Sequence, residues 1–216
     1  MTLLRVDSSI RTDGSVTREV ADALEEAWSR HRTGPVVRRD LGRDPLLAQA
    51  WATAVAAGST PEAQRTPQQR AAVAFAAALA DEVLAADAIV VTSPLYNFGV
   101  PHHLKAWIDL LITDPRLGPG TAPLAGRPLA LVIARGGGYG PGTPRAGWDH
   151  ATPYLRQIFG EVFGADLTVV EAELTLAAVV PAMAALVPEA ERLRARAREL
   201  AAEAGRALAE RVAVAA

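Results

Sequence analysis

Short β-rich runs alternate along this chain with longer segments of helical periodicity, and this alternation limits the possible folds more than any other feature. The β-rich runs cover residues 3–6, a stretch that begins at 36–37, and residues 88–92, 129–134 and 167–170. Parallel strands need a long crossover between them, which is usually a helix. The pattern therefore predicts an α/β fold: a doubly wound, five-stranded parallel sheet with helices on both faces, in three layers.

The helical segments repeat apolar residues three and four positions apart. The first of them places Val20, Leu24 and Trp28 on one face. A second opens at 66–69 with Thr, Pro, Gln and Gln, which matches a capping box with proline at the first helical position. Further helices are expected from 101, over 148–163 and over 189–212, and an irregular insertion with a short helix is expected over 41–66, all within a single domain spanning 1–216.

Composition excludes several classes of function. The net charge is −2 and the pI about 6.1, so nothing favours a polyanionic partner such as nucleic acid. The chain contains no cysteine, which excludes disulfides, thiol redox chemistry and cysteine-ligated metal centres. Any redox chemistry must therefore come from a bound cofactor.

The apolar segments predict a cytoplasmic protein with no membrane partner. The N-terminal residues meet charge at Arg5 and lack the apolar core of a signal peptide. The longest apolar run, 174–187, contains Pro181 and falls short of the roughly 20 residues that cross a bilayer.

Ligands of doubly wound sheets bind at the carboxyl ends of the strands, where the strand order reverses. The loop after the first strand, residues 7–17, matches neither the G-x-G-x-x-G fingerprint nor the P-loop. Its hydroxyls, including those of Ser9, Ser15 and Thr17, precede a helix whose free N–H groups favour an anion. The loop therefore suits a terminal phosphate, with simple helix capping as the alternative.

The loop after the third strand is more specific. It reads Ser-Pro-Leu-Tyr-Asn-Phe-Gly-Val-Pro over 93–101, with two aromatic residues around Asn97 where a connection would normally be small and polar. Such an apolar wall suits a planar aromatic ligand, and its backbone N–H groups suit the polar edge of that ligand. The alternative is that the aromatic side chains fold back into the core.

The same run, continued by Leu-Lys-Ala-Trp-Ile-Asp over 104–109, resembles the (A/S)-P-M-Y-N-F…(Q/H)-L-K-x-(Y/W)-x-D block of the FMN-dependent NADH:quinone oxidoreductase and azoreductase family. The similarity covers most of the chain, including the loop at 7–17, the helix opening at 66–69, and Arg-Gly-Gly at 135–137 followed by Thr-Pro-Tyr-Leu at 152–155. The resemblance implies a flavodoxin-like three-layer sandwich with strand order 2-1-3-4-5.

It also implies non-covalently bound FMN, with NADH or NADPH as co-substrate, a quinone or azo compound as acceptor, and a homodimer. The FMN phosphate would lie at Ser9, Ser15, Val16 and Thr17. The isoalloxazine would lie beside Pro94, Leu95, Tyr96, Asn97 and Phe98, with Ala134, Arg135, Gly136, Gly137 and Tyr139 on its far side.

Three departures from the family pattern concern the acceptor. Tyr139 stands where the family usually has His, 111–118 lacks its Phe-Arg-Tyr element, and 136–142 is unusually rich in glycine. Beside the isoalloxazine, Ala134 stands where the family usually has Ser. Tyr139 and His150 are candidate acceptor-pocket residues, and no side chain is an obligatory catalyst. His102 and His103 point about 100° apart on a helix, which disfavours a metal site and suggests a solvated helix start.

The predicted function is two-electron, ping-pong reduction of quinones or azo compounds with electrons from NAD(P)H. Two alternatives stay open. A flavodoxin-like electron carrier would share the fold, although such carriers are generally strongly acidic. A specialised biosynthetic flavin reductase would use the same site on a dedicated substrate.

Overall fold

Five parallel strands form one sheet in the order β2-β1-β3-β4-β5 in the computed structural model, which confirms the predicted topology. The structure describes residues 1–215; the predicted domain also includes Ala216, which lies outside the described residues. The strands are β1 (Leu3–Asp7), β2 (Val36–Asp40), β3 (Ala88–Pro94), β4 (Pro128–Ala134) and β5 (Asp166–Ala172).

Helices cover both faces of the sheet. They are α1 (Val16–His31), α2 (Ala48–Gly58), α3 (Pro67–Ala85), α4 (His102–Ile112), α5 (Ala151–Arg156) and α6 (Val187–Ala215). Short 3₁₀ turns occupy Glu62–Gln64, Pro115–Leu117 and Pro181–Leu186. None of the helices within the described residues is both long and apolar enough to cross a membrane.

Alternate residues of each strand point to opposite faces, so the sheet separates two cores. On one face, Val90 and Val132 pack with Trp28 of α1 and Leu208 of α6. On the other face, Val91 packs with the side chains of α3, α4 and the segment around α5. All seven residues of β3 and of β4 are buried, as expected for central strands of a parallel sheet.

The helix predicted over 148–163 is shorter and less regular than expected. It begins at Ala151 because the Asp149 carboxylate accepts the N–H groups of Ala151 and Thr152, both at 2.9 Å, and so occupies the free donors of the first turn. After α5 the chain widens into π-helical turns over Gln157–Val162. Apolar periodicity does not distinguish these turns from an α-helix.

Three other expectations hold, the last of them with shifted ends. The short helix expected in the insertion is α2, which contains Trp51. The capping box predicted at the start of α3 is present, since Thr66 and Gln69 exchange side-chain-to-backbone hydrogen bonds of 3.1 and 2.9 Å. The terminal helix extends beyond its predicted limits at both ends.

Candidate functional site

A cleft of about 810 Å³ opens at the carboxyl ends of β1, β3 and β4. This is the edge of the sheet at which strand order reverses between β1 and β3, where doubly wound folds bind ligands. Its volume falls within the range of small-molecule sites. Its walls come from segments within 9–17, 94–103, 134–136 and 175–176.

The N-terminus of α1 forms one end of the cleft. Within residues 1–215, no protein group accepts a hydrogen bond from the backbone N–H of Val16 or Thr17. The Ser15 hydroxyl, which caps the helix, lies 3.1 Å from the hydroxyl of Thr17. Free N–H groups, two hydroxyls and the positive end of the helix dipole together form a site for a phosphate.

Arg18 holds the loop that precedes this helix. Its guanidinium donates to the carbonyls of Ser9 (2.9 Å) and Arg11 (3.0 Å), and binds both carboxylate oxygens of Asp40 at 2.7 Å. Burial tends to raise the pKa of Asp40, but the hydrogen bonds and the positive charge of Arg18, together with two backbone N–H groups, outweigh burial and lower it. The loop carbonyls are therefore turned toward Arg18 at the end of β2.

The loop after β3 turns back on itself beside the cleft. Tyr96 and Gly99 exchange backbone hydrogen bonds of 3.2 and 2.9 Å, and the two residues between them are left-handed, with φ of 47° at Asn97 and 68° at Phe98. The turn leaves the backbone N–H of Asn97 without an acceptor among the described residues. The Tyr96 hydroxyl lies 3.4 Å from the Ser9 hydroxyl, so the first and third loops meet.

The opposite wall joins Gly136 to a segment that the sequence did not indicate. Leu176 and Thr175, which follow β5, line the cleft, and the Leu176 N–H donates to the Gly136 carbonyl at 3.1 Å. A Cβ at Gly136 would lie 2.6 Å from Leu176 Cδ1, so a larger residue there would push the Leu176 side chain aside. The site prediction considered only the loops after the first, third and fourth strands, although the fifth strand ends at the same edge.

Arg135 turns its side chain away from the cleft. It is buried and pairs with Asp149 (2.7 Å), Glu171 (2.8 Å) and Glu173 (3.3 Å). Burial alone would lower the pKa of Arg135, but the hydrogen bond with Glu171 and the nearby carboxylates raise it. Glu173 also accepts the Tyr139 N–H at 3.0 Å. The guanidinium thus ties the glycine-rich loop to the end of β5 and the start of α5.

His103 lines the cleft, and the environment predicted for it from the sequence was wrong. We expected a solvated helix start, and His102 is exposed, but His103 is buried with its Nε2 2.6 Å from the Ser8 carbonyl oxygen. A carbonyl oxygen only accepts, so Nε2 carries the proton. Burial lowers the pKa of His103, which keeps the ring neutral near pH 7. The imidazole therefore links α4 to the first loop.

The structure brings most of the predicted cofactor residues to the cleft and leaves a few outside it. Those that line it are Ser9, Ser15, Val16, Thr17, Pro94, Leu95, Tyr96, Asn97, Ala134 and Gly136. Phe98, Arg135, Gly137 and Tyr139 do not line it, and neither does His150, which is exposed and donates its N–H to the Phe98 carbonyl. Their roles toward a ligand stay predictions.

The sheet order and the position of the cleft define a flavodoxin-like protein. The family model described as the flavodoxin-like fold matches residues 1–197. An FMN-dependent NADH:quinone oxidoreductase of Parafrankia sp. (strain EAN1pec) is 45% identical over 168 residues, which cover 76% of this chain and 79% of the relative. One of Kineococcus radiotolerans is 42% identical, with 78% and 81% covered. The chain belongs to the FMN-dependent NADH:quinone oxidoreductase family.

Solved structures share the fold at lower identity. The FMN-dependent NADH-azoreductase of Bacillus anthracis str. Ames Ancestor, solved in complex with FMN, superposes with a TM-score of 0.78 at 19% identity and covers 97% of this chain and 100% of its own. The NAD(P)H:quinone oxidoreductase of Methanothermobacter marburgensis superposes with a TM-score of 0.66 at 19% identity, with 96% of each chain covered. These two likenesses bear on the fold alone.

Proposed function

We propose that this protein is an FMN-dependent NADH:quinone oxidoreductase that also reduces azo compounds and holds its FMN non-covalently in the cleft. The observation that carries the proposal is the convergence of the segments that follow β1, β3, β4 and β5 around one cleft, with an anion site at one end and apolar and glycine-containing walls at the other. The curated relatives that match the chain bear the corresponding name.

The residues of the cleft fit the parts of FMN. The phosphate would bind the N–H groups of Val16 and Thr17 and the hydroxyl of Ser15, since these donors have room for an anion. The isoalloxazine would lie between the loop at 94–97 and Gly136, where a Cβ would displace Leu176. Free backbone N–H groups at Asn97 and Gly136 would address its polar edge.

The reaction needs no side-chain acid or base from this chain. FMN, when bound, would supply two-electron redox chemistry, and in the overall reaction NADH, a proton and a quinone would give NAD⁺ and a hydroquinone. The chain's own part is to bind and orient the reactants, and its preorganised N–H donors at Asn97 and Gly136 stabilise added negative charge. A single cleft that admits donor and acceptor in turn supports a ping-pong order.

A flavin spectrum followed by half-reactions tests the proposal. The purified protein should retain FMN, lose its visible absorbance on mixing with NADH in the absence of oxygen, and recover it on adding a quinone. NADPH in a parallel experiment measures the preference between the two donors. Bound flavin that NADH does not bleach would favour an electron carrier, and a protein that binds no FMN would contradict the proposal.

The acceptor is tested with a panel of quinones, azo dyes and nitro compounds. If NADH bleaches the flavin rapidly but the enzyme turns over none of these acceptors, a specialised biosynthetic reductase would be favoured.

We propose Tyr139 and His150 as acceptor-pocket residues: the Tyr139 ring is half-buried beside Arg145, and His150 is hydrogen-bonded to the loop after β3. Tyr139→Phe should change acceptor preference and leave FMN retention intact, whereas loss of flavin from this variant would refute the assignment.

We also propose that the protein forms a homodimer. Leu47, Trp51 and Val55 recur every four residues along α2, so they share one face, and all three are exposed (75%, 47% and 51%). A contiguous apolar stripe of this kind is typical of a protein–protein contact. Leu47 and Trp51 also line a small pocket of about 180 Å³ that shares His102 with the cleft.

Sedimentation velocity over a range of protein concentrations tests the dimer. Trp51→Asp should weaken association by placing a charge in the contact, while Val179→Asp, which alters an exposed apolar residue elsewhere, should not. A wild-type protein that sediments as a monomer at every concentration would contradict the proposal.

A further inference from the structure

Two exposed aromatic side chains, Phe98 and Trp148, meet beside the loops that line the cleft. Phe98 is 39% exposed and Trp148 is 52% exposed, and their rings meet edge to face with centroids 5.5 Å apart and planes at 82°. We propose that Trp148, held in place by Phe98, is a specificity-determining residue on which a planar aromatic acceptor stacks. This inference rests on the proposed function and names a recognition element for its acceptor.

The backbone at Phe98 supports this assignment. In a two-residue turn with both φ values positive, the second position favours glycine, yet this chain places Phe98 there at φ 68°. An aromatic residue in the left-handed region is strained, and strain of this kind concentrates at functional sites. Burial does not compensate it, because the ring is exposed. The aromatic contact of that ring is with Trp148.

Hydrogen bonds fix the main chain on both sides of Trp148. Its own N–H donates to the Arg145 carbonyl at 3.1 Å, and the His150 N–H donates to the Phe98 carbonyl at 3.0 Å. Between them, the Asp149 side chain is bound to Arg135 at 2.7 Å. The indole therefore projects from a segment that is already ordered, so little conformational entropy is lost when a ligand binds.

Phe98 and Trp148 both belong to loops that line the cleft. Phe98 lies between Asn97 and Gly99, which both line the cleft, and Trp148 belongs to the loop that begins at Gly136 on the opposite wall. The contact between Phe98 and Trp148 thus joins the loop after β3 to the loop that begins at Gly136, beside the cleft. Phe98 meets Trp148 edge to face, and about half of the indole surface stays accessible for offset stacking by a flat ring.

Kinetics with two acceptors of different shape test the proposal in the FMN-loaded enzyme. The probes are 2-methyl-1,4-naphthoquinone, which can stack, and ferricyanide, which has no aromatic ring. Trp148→Ala should raise the KM for the naphthoquinone by about three- to tenfold, as expected for one lost aromatic contact, and leave the ferricyanide rate unchanged. Trp148→Phe is the matched control, and it should retain most of the wild-type KM because it retains a ring.

Binding without turnover gives a second measurement. Titration of the oxidised, FMN-loaded protein with the naphthoquinone, followed by the change in flavin absorbance, should show the same rise in Kd for Trp148→Ala. An unchanged naphthoquinone Kd, an equal loss with ferricyanide, or a changed sedimentation coefficient of the variant would overturn the proposal. If the proposed function itself failed, neither acceptor would support NADH oxidation by the wild-type protein.

Discussion

At the scale of single residues, the shape of the cleft depends on which positions are glycine and so lack a Cβ atom. Gly136 and Gly140 lie in the same glycine-rich loop, yet their surroundings differ: a Cβ at Gly136 would lie 2.6 Å from Leu176 Cδ1, while a Cβ at Gly140 would meet nothing within 4 Å. The sequence alone does not distinguish these two glycines. Only Gly136 has such a neighbour, Leu176 in the same wall of the cleft, so only there would a Cβ change the shape of the cleft.

Gly136→Ala should weaken FMN binding more than it weakens the fold. The new methyl group pushes the flexible end of Leu176, and because Leu176 lines the cleft, its displacement changes the space for the flavin. We expect the Kd for FMN to rise about tenfold, equivalent to about 1.4 kcal/mol, which lies within the usual range for overpacking. Quenching of FMN fluorescence during titration of the apoprotein measures the Kd.

Gly140→Ala is the matched control for that experiment, and it should bind FMN as the wild type does. An equal loss of affinity in both variants would show that flexibility of the loop matters, rather than the contact with Leu176.

At the scale of elements, the loop between β1 and α1 is shaped by the strand beside it. The Arg18 guanidinium donates hydrogen bonds to the Asp40 carboxylate at the end of β2 and to the carbonyls of Ser9 and Arg11. Gly42 completes the contact, since a Cβ there would lie 2.1 Å from the Ser9 carbonyl oxygen. The anion site at α1 is therefore supported by residues that are distant in sequence.

Asp40→Asn should destabilise the fold at neutral pH and have less effect in acid. The lowered pKa of Asp40 in the folded state adds stability above about pH 4, the ordinary carboxyl value, and this stability is lost as the pH falls through the folded-state pKa. We expect a loss of about 1–3 kcal/mol at pH 7, as for other hydrogen-bonded charged groups. Urea unfolding at pH 7 and pH 3 measures the free energy of unfolding.

The control for this variant is Asp13→Asn, which changes an exposed carboxylate of the loop between β1 and α1 and should leave stability within about 0.5 kcal/mol of wild type. A deficit of Asp40→Asn that is as large at pH 3 as at pH 7 would contradict the ionic origin of the effect.

At the scale of the whole molecule, α1 and α6 form a layer on the face of the sheet opposite α3 and α4. The two helices approach so closely at Gly205 that a Cβ there would lie 2.2 Å from the Leu24 carbonyl oxygen and 3.0 Å from Ala27 Cβ. Backbone atoms cannot move aside as a side chain does. The close packing of this layer thus depends on one glycine inside a helix, a position where glycine is otherwise unfavourable.

Gly205→Ala should destabilise the protein by about 1–3 kcal/mol, although alanine is the better helix former by about 1 kcal/mol. FMN affinity of the folded fraction should be unchanged, since the cleft lies at the carboxyl edge of the sheet and Gly205 does not line it. Thermal unfolding and FMN titration measure the two effects. Gly58→Ala, at the open end of α2, is the control and should not destabilise; an equally stable Gly205→Ala would refute the packing argument.

Much of the fold could be predicted from the chain alone, because the information is local. Apolar periodicity identified the strands and most helices, the capping box marked the start of α3, and strand alternation required a parallel sheet. The unusual run at 93–101 and the loop at 7–17 pointed to the edge of the sheet where the cleft opens. These features depend on residues close together in sequence, where spacing is sufficient evidence.

The tertiary structure decided what depends on contacts between distant segments. It buried His103 against Ser8, turned Arg135 toward three carboxylates, and brought Leu176 into the cleft wall. It also placed the Phe98 ring in contact with Trp148. No local pattern encodes such pairings, because the direction of a side chain and the identity of its neighbour are determined only when the strands and loops pack together.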